Sequence, residues 1–244
     1  DVYKRQPYSL FPKLMGIMGR KRSTTDSIAG TYEISTGELV VEADPFRDGA
    51  FILNINGVPS SHLIPDEPRT LEFEYMRWIA AAVDNLAPGK RLLHLGGGGC
   101  SLPRYFADLW PDSHNTVVEL DAKLAELIRE LADIPSAPRV KIRAGEARAV
   151  TEGFPPNRFD VIIRDVFAGA VTPEPLTTKE FFQHAHATLS PGGLYVANCG
   201  DHSDLQGAKA ELAGMAEVFE HLAVIADPPM LKGRRYGNII LIGS

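Results

Sequence analysis

Glycines and carboxylates fall at regular places in this chain, at the ends of apolar runs. The run Leu92–Leu95 meets four consecutive glycines, Gly96, Gly97, Gly98 and Gly99, before a helix-forming stretch. Glycines permit the close backbone approach and unusual angles that a ligand cradle needs. The run "NTVVE" ends in Glu119, about 20 residues past the loop, where an acid typically accepts both hydroxyls of a ribose. The run "RVKIRA" ends in Gly145-Glu146. An acid there can accept a hydrogen bond from the exocyclic amine of adenine. The run "FDVIIR" ends in Asp165, a candidate general base. Singly, each acid reads equally as a helix cap or a solvated loop residue. Together they mark one crevice. A bare nucleoside fits it better than a dinucleotide, because nothing beyond the third run suggests nicotinamide chemistry.

Positioning such residues requires strands that alternate with helices. From Arg91 onward, short apolar runs alternate with helical patterns such as "AKLAELIRELADI", "TKEFFQHAHATLS" and "LQGAKAELAGMAEVF". That order predicts an α/β fold, a doubly wound Rossmann-like sheet. The runs around Val224 and Ile240 have a short connection and read as an antiparallel edge. Before this domain, "TYEISTGELVVEAD" and "GAFILNINGV" read as small antiparallel hairpins, with Asn56-Gly57 as a turn signal. A proline-rich link, Pro59–Pro68, leads into "TLEFEYMRWIAAAVDNLAPG", an amphipathic helix closed by Pro88-Gly89. The expected division is a tail over 1–29, a hairpin module over 30–68 and a nucleoside-binding domain over 69–244. Asp1–Gln6 resembles a translated transposon end from library preparation, which would put the natural start near Met15 or Met18. Arg20-Lys21-Arg22 then belongs to a solvated tail.

Bulk properties restrict the partners. The 244 residues carry a net charge of -6 and a pI of about 5.7, which argues against nucleic acid as the main partner. Cys100 and Cys199 read as small buried thiols in a reducing, cytoplasmic setting rather than as a disulfide. No apolar run reaches membrane-spanning length. No metal site is expected, since His184 and His186 would point to different faces of a helix.

With "NGVPSSH", "LEFEYMRW", "LGGGG", "VVELD", "AGEA", "FDVIIRDVF", "LTTKEFFQHAHATLSPGG" and "YGNIILIGS" in this order, the chain resembles the spermidine synthase family of aminopropyltransferases. The resemblance runs from about Gly30 to the C-terminus. It implies the S-adenosylmethionine methyltransferase fold, polyamine biosynthesis, a homodimer and a small-molecule acceptor. It also implies decarboxylated S-adenosylmethionine or S-adenosylmethionine as cofactor. By position it makes Glu119 the ribose acid, Glu146 the adenine reader, Asp165 the base and Tyr75 a wall of the active site. Arg104 takes the place of an arginine in the helix after the loop.

Several positions depart from the family pattern. The loop aspartate that holds the aminopropyl ammonium is Gly99 here, followed by Cys100, and a second acid after Asp165 is Ala168. Glu33 and Met76 replace polar residues of the amine pocket, and Arg234 and Arg235 fall near a family tyrosine. A buried alkylammonium needs carboxylates to offset its desolvation. Gly99 also removes a repulsion that intact S-adenosylmethionine would feel, and is expected to open space. Three readings stay open: an aminopropyltransferase-like transferase for which spermidine synthesis itself is doubtful, a methyltransferase accepting intact cofactor, and a non-catalytic nucleoside-binding homologue.

Overall fold

A computed structural model of the chain describes residues 28–87, 89–169 and 171–244. The readings on Asp1–Gln6, on the start near Met15 or Met18, on the basic tail and on Pro88 lie outside the described residues.

The hairpin module is a four-stranded antiparallel sheet in the order β1-β2-β3-β4 (β1 Gly30–Ile34, β2 Gly37–Ala43, β3 Phe51–Ile55, β4 Val58–Leu63). Asn56 and Gly57 both take positive φ, 51° and 77°, between the paired Ile55 and Val58. That is the turn whose twist matches a hairpin. Half of the expected proline-rich link is in fact β4. Pro59 is tolerated because β4 is an edge strand, and a register shift between Leu53 and Asn54 accompanies it. Inward residues Leu39, Val41, Phe51 and Leu53 form one core with Cys100, Ala107, Val117 and Leu124 of the main domain.

The main domain starts with α1 (Glu74–Leu86). Then come β5 (Arg91–Leu95), α2 (Ser101–Leu109), β6 (His114–Glu119), α3 (Ala122–Leu131), β7 (Val140–Ala144), α4 (Ala147–Glu152) and β8 (Phe159–Arg164). After a 3-10 turn at Glu174–Leu176 follow α5 (Lys179–Thr188), β9 (Leu189–Asp201), α6 (Gln206–Ala216), β10 (Leu222–Ile225), α7 (Pro228–Leu231) and β11 (Gly237–Gly243). The seven strands lie in the order β7-β6-β5-β8-β9-β11-β10. The first five are parallel, and β11 is antiparallel to both of its neighbours. The expected antiparallel pair is therefore present, with β10 as the edge and β11 inside the sheet.

Burial on both faces explains why the strands read as unbroken apolar runs. Along β8, Val161 and Ile163 pack under α1 and α2, whereas Phe159 and Ile162 pack under α4 and α5. Strand order reverses between β5 and β8. A doubly wound sheet opens its ligand crevice at the carboxyl ends of such a pair.

Candidate active site

The glycine loop leaves β5 at this reversal. Gly96 has φ 90°, and a Cβ there would lie 2.1 Å from the Asp165 carbonyl oxygen. Only glycine fits, because Asp165 N–H donates to Leu95 O at 2.8 Å and draws the two strand ends together. Gly97 and Gly98 N–H donate to Glu119 Oε2 at 2.9 and 3.2 Å. Glu119 Oε1 accepts from Asp121 N–H at 3.0 Å, and Glu119 O accepts from Gly145 N–H at 2.9 Å. The loop, Glu119 and Gly145 are thus one cluster. Leu120, 64% exposed beside Glu119, adds an apolar surface at its edge.

Gly99 behaves differently from the expectation. A Cβ on it would lie 2.7 Å from Leu53 Cδ1, 2.7 Å from Ser61 Cβ and 2.8 Å from Ser61 Oγ. Its N–H donates to Ser61 Oγ at 2.9 Å. The absent side chain opens no space, because β3 and β4 of the hairpin module fill it.

Glu146 is exposed and caps α4, accepting from Arg148 and Ala149 N–H, each at 2.8 Å. The helix-cap role that any such acid can play is the one it has here.

Asp165 follows the last residue of β8. Its Oδ1 accepts from Asn198 Nδ2 at 2.9 Å and its Oδ2 from Tyr75 Oη at 3.1 Å. Tyr75 comes from the first turn of α1, and Asn198 from the carboxyl-end part of β9. Burial raises the Asp165 carboxyl above its ordinary range. The bonds from Asn198 and Tyr75, and the nearby Arg164 charge, offset this only in part.

Arg164 points to the opposite face and is fully buried. Its Nη2 pairs with Glu211 Oε2 at 2.7 Å and donates to Asn198 O at 3.2 Å. The salt bridge keeps Arg164 charged against its desolvation. A buried ion pair therefore braces the strand that carries Asn198.

The other predicted pocket residues are dispersed. Met76 is 5% exposed and packs with Ile79, Ala80 and Val83 under α1, so it belongs to the core. Glu33 is exposed and pairs with Lys123 Nζ at 2.8 Å. Ala168 is exposed and forms a bridge with Val171 across Gly169. Arg234 is exposed, and Arg235 pairs with Asp227. Among the described residues no contact joins Glu33 or Arg234 to Asp165. Arg104 is buried and donates to Asp133 O and Ile64 O, a bracing role. Cys100 and Cys199 are free and buried. Burial pushes the Cys100 thiol up to about 12, which removes it as a nucleophile at neutral pH.

Sequence reasoning missed Asn198, Ser61, Asp121 and Thr36. A polar residue inside the apolar run "YVANCG" was the available signal for Asn198. The others depend on how the hairpin module docks. Among the described residues no group of three metal-ligating side chains is placed to hold a metal ion. No helix there is long and apolar enough to cross a membrane.

Comparison with known proteins gives this geometry a context. The chain is 64% identical to a probable spermidine synthase from Corynebacterium glutamicum, with a TM-score of 0.85, over 88% of this chain and 80% of that one. Human methyltransferase-like protein 13, solved with SAH, is 26% identical with a TM-score of 0.58, over 70% of this chain and 82% of that one. The polyamine aminopropyltransferase of Vibrio vulnificus is 30% identical over 141 residues, 57% of this chain and 47% of that protein. The chain spans about half the length, or less, of the curated relatives it matches. A domain model described as the spermine/spermidine synthase domain matches residues 72–224. On that match and the 64% identity, the chain belongs to the spermine/spermidine synthase family.

Proposed function

We propose that the chain is a spermidine synthase-like transferase that takes an adenosyl cofactor and passes a carbon group to a small-molecule acceptor. The carrying observation is the Asp165 carboxyl, held by Tyr75 and Asn198 on a residue whose backbone carbonyl packs against Gly96 of the glycine loop. The residues fit a nucleoside. Gly96 lets the Asp165 backbone and Gly97 lets Glu119 close on the loop, and the carboxylate of Glu119 reaches the loop in a half-buried position. Glu119 would hold the ribose, Gly145 and Glu146 would border the base, and Gly96–Gly98 would form the floor. When bound, decarboxylated S-adenosylmethionine or S-adenosylmethionine supplies an electrophilic carbon on a sulfonium, which leaves as a neutral thioether.

Asp165 accepts the proton that an acceptor amine must lose before it has a lone pair to donate. A carboxyl raised by burial is a stronger base at neutral pH than an exposed one, and two hydrogen bonds hold it in one orientation. Positioning supplies much of the remaining rate. Spermidine synthesis itself is a poor fit. Glu33 is paired with Lys123, and Gly99 and Ala168 bring no charge for a second ammonium.

Methyl transfer is the second reading. The observation in its favour is the likeness to human methyltransferase-like protein 13, solved with SAH. Titration calorimetry with both cofactors separates the two. Binding of the decarboxylated form alone would eliminate methyl transfer. Binding of neither, with no turnover across amines and methyl acceptors, would leave a non-catalytic homologue. The division at 30–68 and 69–244, a homodimer using the exposed hairpin edges and a cytoplasmic location complete the proposal.

A further inference from the structure

A continuous run of hydrogen bonds joins the tip of the hairpin module to the glycine loop. Thr36 lies in the β1–β2 turn, and its N–H and its hydroxyl both donate to Asp121 Oδ2, at 2.6 and 2.8 Å. Asp121 is 1% exposed, and its Oδ1 caps α3 through Leu124 N–H at 2.9 Å. Asp121 N–H then holds Glu119 Oε1, while Glu119 Oε2 holds Gly97 and Gly98. The Glu33–Lys123 pair runs alongside, from β1 to the first turn of α3.

A carboxylate offers about four acceptor positions, and three backbone donors already use the Glu119 carboxylate. A ribose diol needs two. One backbone bond must therefore yield, and the longest is Gly98 N–H at 3.2 Å. What keeps Glu119 from swinging away during that exchange is the Asp121 N–H on its other oxygen. Asp121 is itself fixed from the module by Thr36.

We infer that Thr36 and Asp121 are positioning residues for Glu119, so that the hairpin module helps set the affinity for the ribose diol of a nucleoside ligand. This rests on the nucleoside reading of Glu119. The test uses 5′-methylthioadenosine and its 2′-deoxy counterpart, titrated calorimetrically against the full chain and its Thr36→Val and Thr36→Ser variants. Losing one charge-assisted hydrogen bond two residues removed from the ligand, and so only partly felt at Glu119, predicts about a 3- to 10-fold weaker binding of the ribose form to Thr36→Val. The deoxy form should change less than about twofold on the same grounds, and Thr36→Ser should bind like the unaltered protein. Equal weakening of both ligands, or no change in either, overturns the inference, since a merely structural Thr36 has no reason to sense one hydroxyl. If the unaltered protein binds neither ligand, the nucleoside reading itself falls first. If it binds both equally, Glu119 does not read the diol and only the inference is lost.

Discussion

Replacing Gly99 by alanine probes how the hairpin module meets the glycine loop. The new methyl would sit 2.7 Å from Leu53 Cδ1, 2.7 Å from Ser61 Cβ and 2.8 Å from Ser61 Oγ. Leu53 can bend its terminus aside, but Ser61 is held in β4 and is 1% exposed. Overpacking a dense contact costs about 1–3 kcal/mol. Displacing Ser61 also forfeits the bond from Gly99 N–H, a further ~1 kcal/mol. Alanine recovers roughly 0.4–1 kcal/mol by restricting the unfolded chain. The net is about 1–3.5 kcal/mol, or roughly 2–14 °C in melting temperature for a domain of this size. Urea denaturation of Gly99→Ala, Ser61→Gly and the double variant measures it. The double variant should recover part of the loss, with a coupling of about 1 kcal/mol or more. Gly99→Asp should lose more than Gly99→Ala, because it buries a carboxylate against Leu53 instead of restoring an amine-binding acid. A Gly99→Ala chain within about 0.5 kcal/mol of the unaltered protein would refute the reasoning.

Arg164→Met should cost about 3–5 kcal/mol by leaving Glu211 buried without its partner, and adding Glu211→Leu should recover most of it in the same denaturation series. His94 is fully buried against Asn115, and burial lowers its pKa from 6.5 to about 4. Its neutral form is favoured by folding, so the stability it contributes is complete above pH 6.5 and lost as pH falls through 4. The loss should be about 3 kcal/mol over that window. A His94→Gln chain whose stability falls just as steeply there would count against it. Asp165 has its carboxyl raised, so its sign is opposite. Its contribution is present below the ordinary carboxylate range and is lost as pH rises. Asp165→Asn should be more stable than the unaltered chain at neutral pH, with the gain vanishing towards pH 4, and should abolish transfer while cofactor binding persists. Unchanged transfer would remove Asp165 as the base.

Much of the sheet was legible because both faces are covered. The strands are then apolar throughout, and their ends can only be polar. That is why Glu119, Gly145 and Asp165 announced themselves. The helical stripe Met76, Ile79, Ala80, Val83 carried the signal that Met76 is core, but positional likeness to the family placed it in the pocket. Local sequence carried β4 less well, because a proline is evidence against a strand unless the strand is known to be an edge. The crowding at Gly99 was out of reach for a different reason. Leu53 and Ser61 lie 46 and 38 positions away, and nothing near Gly99 encodes how closely the module docks.

The place of β11 has a consequence for how the chain reaches this state. β10 has β11 as its sheet neighbour, and β11 lies between β9 and β10. Leu222–Ile225 therefore cannot join the sheet until Gly237–Gly243 has paired with β9. Until then β9, which carries Asn198, presents a bare edge rich in Val196, Ala197 and Cys199 to the cell. The interval between those two segments is the period in which a nascent chain is open to edge-to-edge association.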